Sequence, residues 1–307
     1  MALNEQCLVT YDTRDHILDE KESLCPLISK YPFVSVLICS LGTLDQLPLE
    51  ALNMVLLQFD VHSLMTSFGY FNRRARQLVP LIPEYSKITL RSPVTIRAIR
   101  SIGTGASLSL QTLWDKLHTA KCKTCGDFGE YLYLITCRRV CFDYFTNRTD
   151  YLPFVQANVL RIFELHQKHL AAISSMKSVP GCYSTSERRR RSRFTLFDYN
   201  AGMQTGLAIH GSLGAMNQHA LGTWSKKATQ SRCRKTINWY GSDLSTRNLK
   251  RFMGIARAGV LNARTGVPEW GLHCSACRYH WFNSRRCIGT FNWRRKLTRE
   301  SFEDHTR

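Results

Sequence analysis

Cysteines at knuckle spacing are the side chains of this sequence best suited to chemistry. The stretch KCKTCGDFGEYLYLITCRRVCFDYF carries Cys122-x-x-Cys125-Gly126 and then Cys137 and Cys141, so four thiols fall within 20 residues. A two-residue spacer lets a tight turn aim two thiolates at one tetrahedral ion, and a glycine tolerates the backbone of that turn. Zinc held by four thiolates has no position left for a reacting water, so such a site supports folding rather than catalysis. A second set, HCSACRYHWFNSRRCIGTFNWRR, offers Cys274-x-x-Cys277, His280 and Cys287, with His305 further on. Its third and fourth ligands are scattered. Buried structural cysteines are the plain alternative at the first set, and a Cys-rich core at the second.

Several elements must position these thiols. Tyr131 and Tyr133 alternate with Leu132 and Leu134 as in a strand, which would return Cys137 and Cys141 to the side of the knuckle. A helix around 108–118 delivers the chain to the first set. Before it, Ser92-Pro93 predicts a helix over 93–102, with Gly103 and Gly105 punctuating its far end. Residues 151–177 read as helical, with Leu160, Phe163 and Leu170 among the apolar positions. Residues 194–307 mix strand-like runs such as 194–197 with Gly-rich helical segments.

Ahead of these, LPLEALNMVLLQFD at 47–60 sets Leu49, Leu52, Val55, Leu56 and Phe59 on one helical stripe, while Leu47, Met54 and Leu57 fall outside it. A small helix facing one core needs a single apolar side, so the surplus implies a second contact. Asp60 and Asn72 can each accept a free first-turn N–H, which predicts three short helices ending at Pro80 and Pro83. Residues 1–44 lack clear periodicity and read as a loosely ordered extension. At 181–193, GCYSTSERRRRSR is almost devoid of large apolar residues and reads as a basic linker or exposed loop. Arg188, Arg189, Arg190, Arg191 and Arg193 make it the densest cationic run, suited to a polyanion or an import receptor, or simply to solvent. The divisions expected are therefore 1–44, a helical unit at 45–88, a helical region with the first Cys motif at 89–180, the linker at 181–193, and a Cys/His region at 194–307.

Composition narrows the function. Among 307 residues, 42 Lys and Arg stand against 23 Asp and Glu, and 42 − 23 gives a formal charge of +19. That balance favours polyanionic neighbours: nucleic acid, acidic protein surfaces or anionic lipid. The most apolar run, 33–39, is far shorter than the ~20 residues a membrane-spanning helix needs. The start MALNEQCLVTYDTRD does not resemble a secretory signal, so the expected compartment is cytoplasm, nucleus or both. There the 12 cysteines are thiols or metal ligands rather than disulfides. No Gly-x-x-x-x-Gly-Lys loop, His-Glu-x-x-His helix or Gly-x-Ser-x-Gly elbow is present, and His210-Gly211-Ser212 reads as a turn rather than a catalytic pair. An enzyme is not expected.

Taken together, these features resemble the large group of fungal F-box proteins. The run LPLEALNMVLLQFDVHSLMTSFGYFNRRARQLV looks like the F-box itself. PEYSKI, KLHTAKC, CGDFGEYLYLITCRRVCF with YLPF after it, LAIHGSLGAM, and EWGLHCSACRYHW with SFEDHTR continue the likeness over most of 47–307. It implies an α-rich α+β fold, a three-helix F-box followed by a mixed, zinc-stabilised region with short strands. It also implies a non-catalytic substrate receptor of an SCF-type cullin-RING ubiquitin ligase. Leu47, Pro48, Leu49, Leu52, Val55, Leu56 and Phe59 would bind a Skp-type adaptor, and through it the cullin scaffold, while the rest recruits a protein substrate for ubiquitination. Zinc would be held by Cys122, Cys125 and Cys141. The family's further cysteine is here Tyr144, so Cys137 is the substitute expected, the alternative being a weaker site. In the second set, Cys274, Cys277 and His305 match, but the cysteine that follows such a histidine in the family is absent. The reading of a different class is a zinc-containing nucleic-acid-binding protein, suggested by the +19 charge and the aromatic-basic FNWRRK, though it lacks regular finger spacing.

Overall fold

The structure, a computed structural model, describes residues 8–9, 15–26, 40–184, 189–230, 248–283 and 293–305. It is helix-rich, with small antiparallel sheets. After a two-residue strand β1 (Leu8–Val9), the chain enters a helical succession: α1 (Leu49–Gln58), α2 (Val61–Ser63), α3 (Gly69–Phe71), α4 (Arg73–Leu78), α5 (Pro83–Arg91), α6 (Pro93–Ile102) and α7 (Leu110–His118). A π-helical turn, Leu64–Phe68, links α2 to α3. The boundaries follow from side-chain chemistry. Asp60 accepts from Ser63 N at 2.7 Å and Asn72 from Ala75 N at 2.8 Å, each satisfying a first-turn donor. Proline opens α5 and α6, where a missing N–H costs nothing. Gly103, at φ 78, closes α6 through its N–H to Ile99 O.

Two short exchanges, Val61 N to Leu108 O at 2.9 Å and Leu110 N to Phe59 O at 3.0 Å, fasten the end of α1 to the start of α7. α1 and α5 pack on α7, and α5 packs on α6. Leu52, Leu56, Leu64, Ile96, Ile99, Leu113 and Leu117 belong to one buried core. Among the described residues no helix is long and apolar enough to cross a membrane.

That core continues into a three-stranded sheet in which β2 (Tyr131–Tyr133) lies between β3 (Arg138–Val140) and a late strand, Ile255–Arg257. After α8 (Phe142–Asn147), residues 151–177 depart from the helix read in the sequence. They form β4 (Phe154–Val155), α9 (Gln156–Ile162), a 3-10 turn at Gln167–Ala172 and β5 (Ser175–Lys177). Pro153 forces extended backbone before it, Glu164 turns the chain at φ 47, and Met176 faces inward between exposed Ser175 and Lys177, a two-residue period. β6 (Thr195–Phe197) pairs with both β4 and β5, close to the strand expected at 194–197. Phe154, Val159, Phe163, Phe197 and Met216 form a second core beside α10 (Tyr199–His210) and α11 (Leu213–Gln230).

The remainder comprises β7 (Ile255–Arg257), β8 (Val260–Leu261), β9 (Pro268–Glu269), β10 (His273–Cys274), α12 (Ser275–Asn283) and α13 (Arg299–His305). β10 pairs with β1, so the N-terminal strand lies against the second Cys set.

Two segments behave differently from their sequence reading. Residues 15–26, read as part of a loose extension, place Ile17 and Leu18 fully in the main core. In the 181–193 segment, Gly181 and Arg190 exchange backbone hydrogen bonds at 3.0 Å, and buried Tyr183 donates to Val179 O at 2.7 Å. Arg189, Arg191 and Arg193 are exposed and Arg190 half-buried. Arg188 lies outside the described residues.

Candidate functional site

The first Cys set is built at the exit of α7. Cys122 N donates to Asp127 O and Gly126 N to Cys122 O at 3.0 Å, a tight turn that Gly126 completes at φ 82. Lys123 N donates to Arg139 O at 2.9 Å, which docks the knuckle on the middle of β3. β3 then delivers Cys141, the residue before α8. The ligand atoms of Cys122, Cys125 and Cys141 all lie within 4.8 Å of one another. Cys125 Sγ and Cys141 Sγ stand 3.7 Å apart. With zinc–thiolate bonds of ~2.3 Å, the edge of a tetrahedron is about 3.8 Å, so these donors fit the ion the resemblance implies.

Electrostatics agree with a cation site. The hydrogen bond from Cys141 holds the Cys122 thiol down to about 5, while the same bond and burial push Cys141 up; burial likewise raises Cys125. One thiolate thus stabilises itself on its neighbours' protons, and a bound cation would displace those protons.

Cys137 is not brought into this set, contrary to its expected role as fourth ligand. It ends the turn between β2 and β3 at φ 49, nearly fully buried, and burial pushes its thiol up to about 12. Four steps of extended chain span about 13 Å, so β3 holds Cys137 and Cys141 at opposite ends. Tyr144, half-buried, occupies the position of the family's cysteine. Among the described residues three donors, not four, converge.

The second set also brings three donors together: Cys274 at the end of β10, Cys277 in the first turn of α12, and His305 at the end of α13. Cys277 Sγ stands 3.0 Å from His305 Nε2. Burial pushes the Cys277 thiol up to about 12. His280 is exposed and outside the set, and Cys287 lies outside the described residues. A cleft of about 240 Å³ runs between the two sets, with Cys141 and Tyr144 on its wall together with Cys274, Cys277 and His305.

The residues expected to meet an adaptor are split by the fold. Leu52 and Leu56 turn inward and are only 3% and 1% exposed, so they are core residues and not a contact surface. Phe59 is half-buried. Leu47, Pro48, Leu49 and Val55 face solvent, and so does Met54, 69% exposed, although the sequence stripe had not included it. Its wheel position opposite Leu52 and Leu56 was the available signal.

Sequence reasoning also missed Arg139. Its guanidinium, 1% exposed, donates to Gly129 O at 2.8 Å and Ala258 O at 2.6 Å, and its Nε to Lys116 O at 3.1 Å. It joins α7, the knuckle loop and the β7–β8 connection around the first set.

Comparison of the chain with protein-family models, with curated proteins and with solved structures returned no match. What defines the molecule is therefore its own geometry, a helix-rich α+β chain with two converging sets of thiol and imidazole donors.

Proposed function

We propose that this chain is the F-box substrate receptor of an SCF-type cullin-RING ubiquitin ligase, with zinc in its two Cys sets. The observation that carries the reading is the set of apolar side chains that α1 leaves outside the core. Leu49, Met54 and Val55 are 53%, 69% and 43% exposed on a helix whose inner face already serves the core. Large apolar side chains left in water around one short helix mark a contact site, and the F-box resemblance supplies the adaptor as its occupant. The chain itself breaks and makes no bonds in this role; it holds a substrate near the ubiquitin-carrying enzyme, where raised effective concentration accelerates transfer. Zinc is the ion favoured by a thiolate-rich, tetrahedral donor set.

The test is co-purification with a Skp-type adaptor. Leu49→Ala combined with Val55→Ala is expected to abolish capture, since truncated anchors in an interface cost ~2 kcal/mol or more each at hot spots. Both positions face solvent, so the variant should unfold like the parent. Wild-type adaptor recovery with that variant would overturn the assignment.

A further inference from the structure

Helix α12 leads from the second Cys set into a surface of exposed aromatic rings. Tyr279, Trp281 and Phe282 are 73%, 40% and 64% exposed. At 100° per residue, Trp281, Arg278, Phe282 and Tyr279 fall in that order on one arc of roughly 160°. Cys277 lies at the edge of the arc, next to Trp281. Trp293 comes up against this face, its ring centroid 5.6 Å from that of Phe282, with the planes tilted by 52°. The Arg278 guanidinium stands 6.0 Å from the Phe282 ring and 5.8 Å from that of Trp293.

The sequence around this face is uniformly cationic. Residues 270–299 contain seven Lys or Arg and no Asp or Glu, with six aromatic residues among them. Three of those cations, Arg294, Arg295 and Lys296, meet Asp15, Asp127 and Glu130. Arg278 stays beside the rings, and Arg299 is exposed. Aromatic planes interleaved with guanidinium groups suit a ligand that presents flat π faces joined by phosphates. Base stacking is tolerant of sequence, and the phosphates add an attraction that salt weakens. A duplex hides its base faces, so a single strand is the form that fits.

We propose that Tyr279, Trp281 and Phe282 of α12, with Trp293 and Arg278, form a stacking platform for single-stranded nucleic acid. Cys274 and Cys277 fix the start of this helix against α13, so the rings are mounted on the second Cys set rather than on a loose end. This surface is separate from the exposed apolar side chains of α1 and independent of the ligase reading.

The test titrates a dye-labelled oligouridylate, an oligothymidylate and a DNA duplex into the full chain at low and moderate salt. Both single strands are expected to bind more tightly than the duplex and to quench the intrinsic tryptophan fluorescence. Trp281→Ala with Phe282→Ala should weaken single-strand binding about tenfold or more, with adaptor capture unchanged. Arg278→Gln gives a second, smaller loss and keeps the rings. Equal affinity for duplex and single strand without quenching would reduce the effect to charge and overturn the proposal. So would binding to phosphatidylserine vesicles but not to the oligonucleotides.

Discussion

Cys122, Cys125, Cys137 and Cys141 look equivalent in the sequence, four thiols around a knuckle, and the backbone separates them. Three converge because a glycine-closed turn and the far end of β3 meet. The fourth is carried away because the strand between 137 and 141 is extended rather than helical. Spacing could reveal the knuckle, since CxxCG dictates its own turn. It could not reveal the place where the β2–β3 hairpin turns, which depends on a left-handed torsion at a non-glycine residue, Cys137. Metal content separates the two roles. Cys122→Ser and Cys141→Ser should each lower bound zinc by about one equivalent per chain in elemental analysis, because a three-donor site cannot spare a thiolate. Cys137→Ser should retain its zinc and lose about 1 kcal/mol or more of stability, since a hydroxyl placed in an apolar site finds no partner. Zinc loss in a folded Cys137→Ser chain would return that residue to the ligand set.

At the level of elements, what could be read from the sequence were features that act within one turn. Asp60, Asn72, Pro93 and Gly103 each satisfy or relieve a local backbone group, and the helices start and stop where these residues stand. Which apolar residues of α1 go inward, Leu52 and Leu56, and which stay outside the core, Leu49, Met54 and Val55, was less legible. Periodicity marks an apolar stripe without saying which edge of it meets α7. The position of the first Cys set depends on Arg139, whose acceptors are carbonyls of Lys116, Gly129 and Ala258, remote in sequence and invisible as a motif. Burial lowers that guanidinium to about 10, still charged at neutral pH, with its charge spread over backbone oxygens instead of a carboxylate. Arg139→Lys keeps the charge but replaces a planar fork of five donors with three on one nitrogen, so it cannot reach carbonyls on several elements together. The substitution is expected to cost about 2 kcal/mol or more, read as a lower thermal midpoint, and to weaken zinc retention. An unchanged midpoint would show that the carbonyls find other donors.

At the scale of the whole molecule, residues 15–21 tie remote parts of the chain together through long-range contacts, both apolar and polar, that leave no periodicity in the sequence. Asp15 accepts from Tyr131 OH on β2 at 2.7 Å and from Arg257 on β7 at 2.7 Å, and it also meets Arg294. Asp19 accepts from Arg257 N at 2.9 Å, and Lys21 donates to Cys182 O at 2.6 Å. One buried carboxylate thus ties together the first segment, the central sheet and the approach to the second Cys set. Burial alone would push the Asp15 carboxyl up; Arg294, Tyr131 and Arg257 outweigh it and hold the group below its ordinary value of 3.8. In the unfolded chain that carboxyl takes up its proton first as the pH drops. Its contribution is therefore present above about 3.8 and is lost as the pH falls through the lower folded value. Asp15→Asn should destabilise the neutral-pH protein by about 2 kcal/mol or more, less than for a fully buried pair, because Arg257 and Arg294 each remain 21% exposed. The same variant should show a shallower loss of thermal midpoint than the parent between neutral and strongly acid pH, because the group responsible for part of that slope is gone. Thermal midpoints measured across that range for both proteins decide the matter. Two parallel curves would mean that the acid limb belongs to other carboxylates, and that Asp15 acts through hydrogen-bond geometry rather than charge.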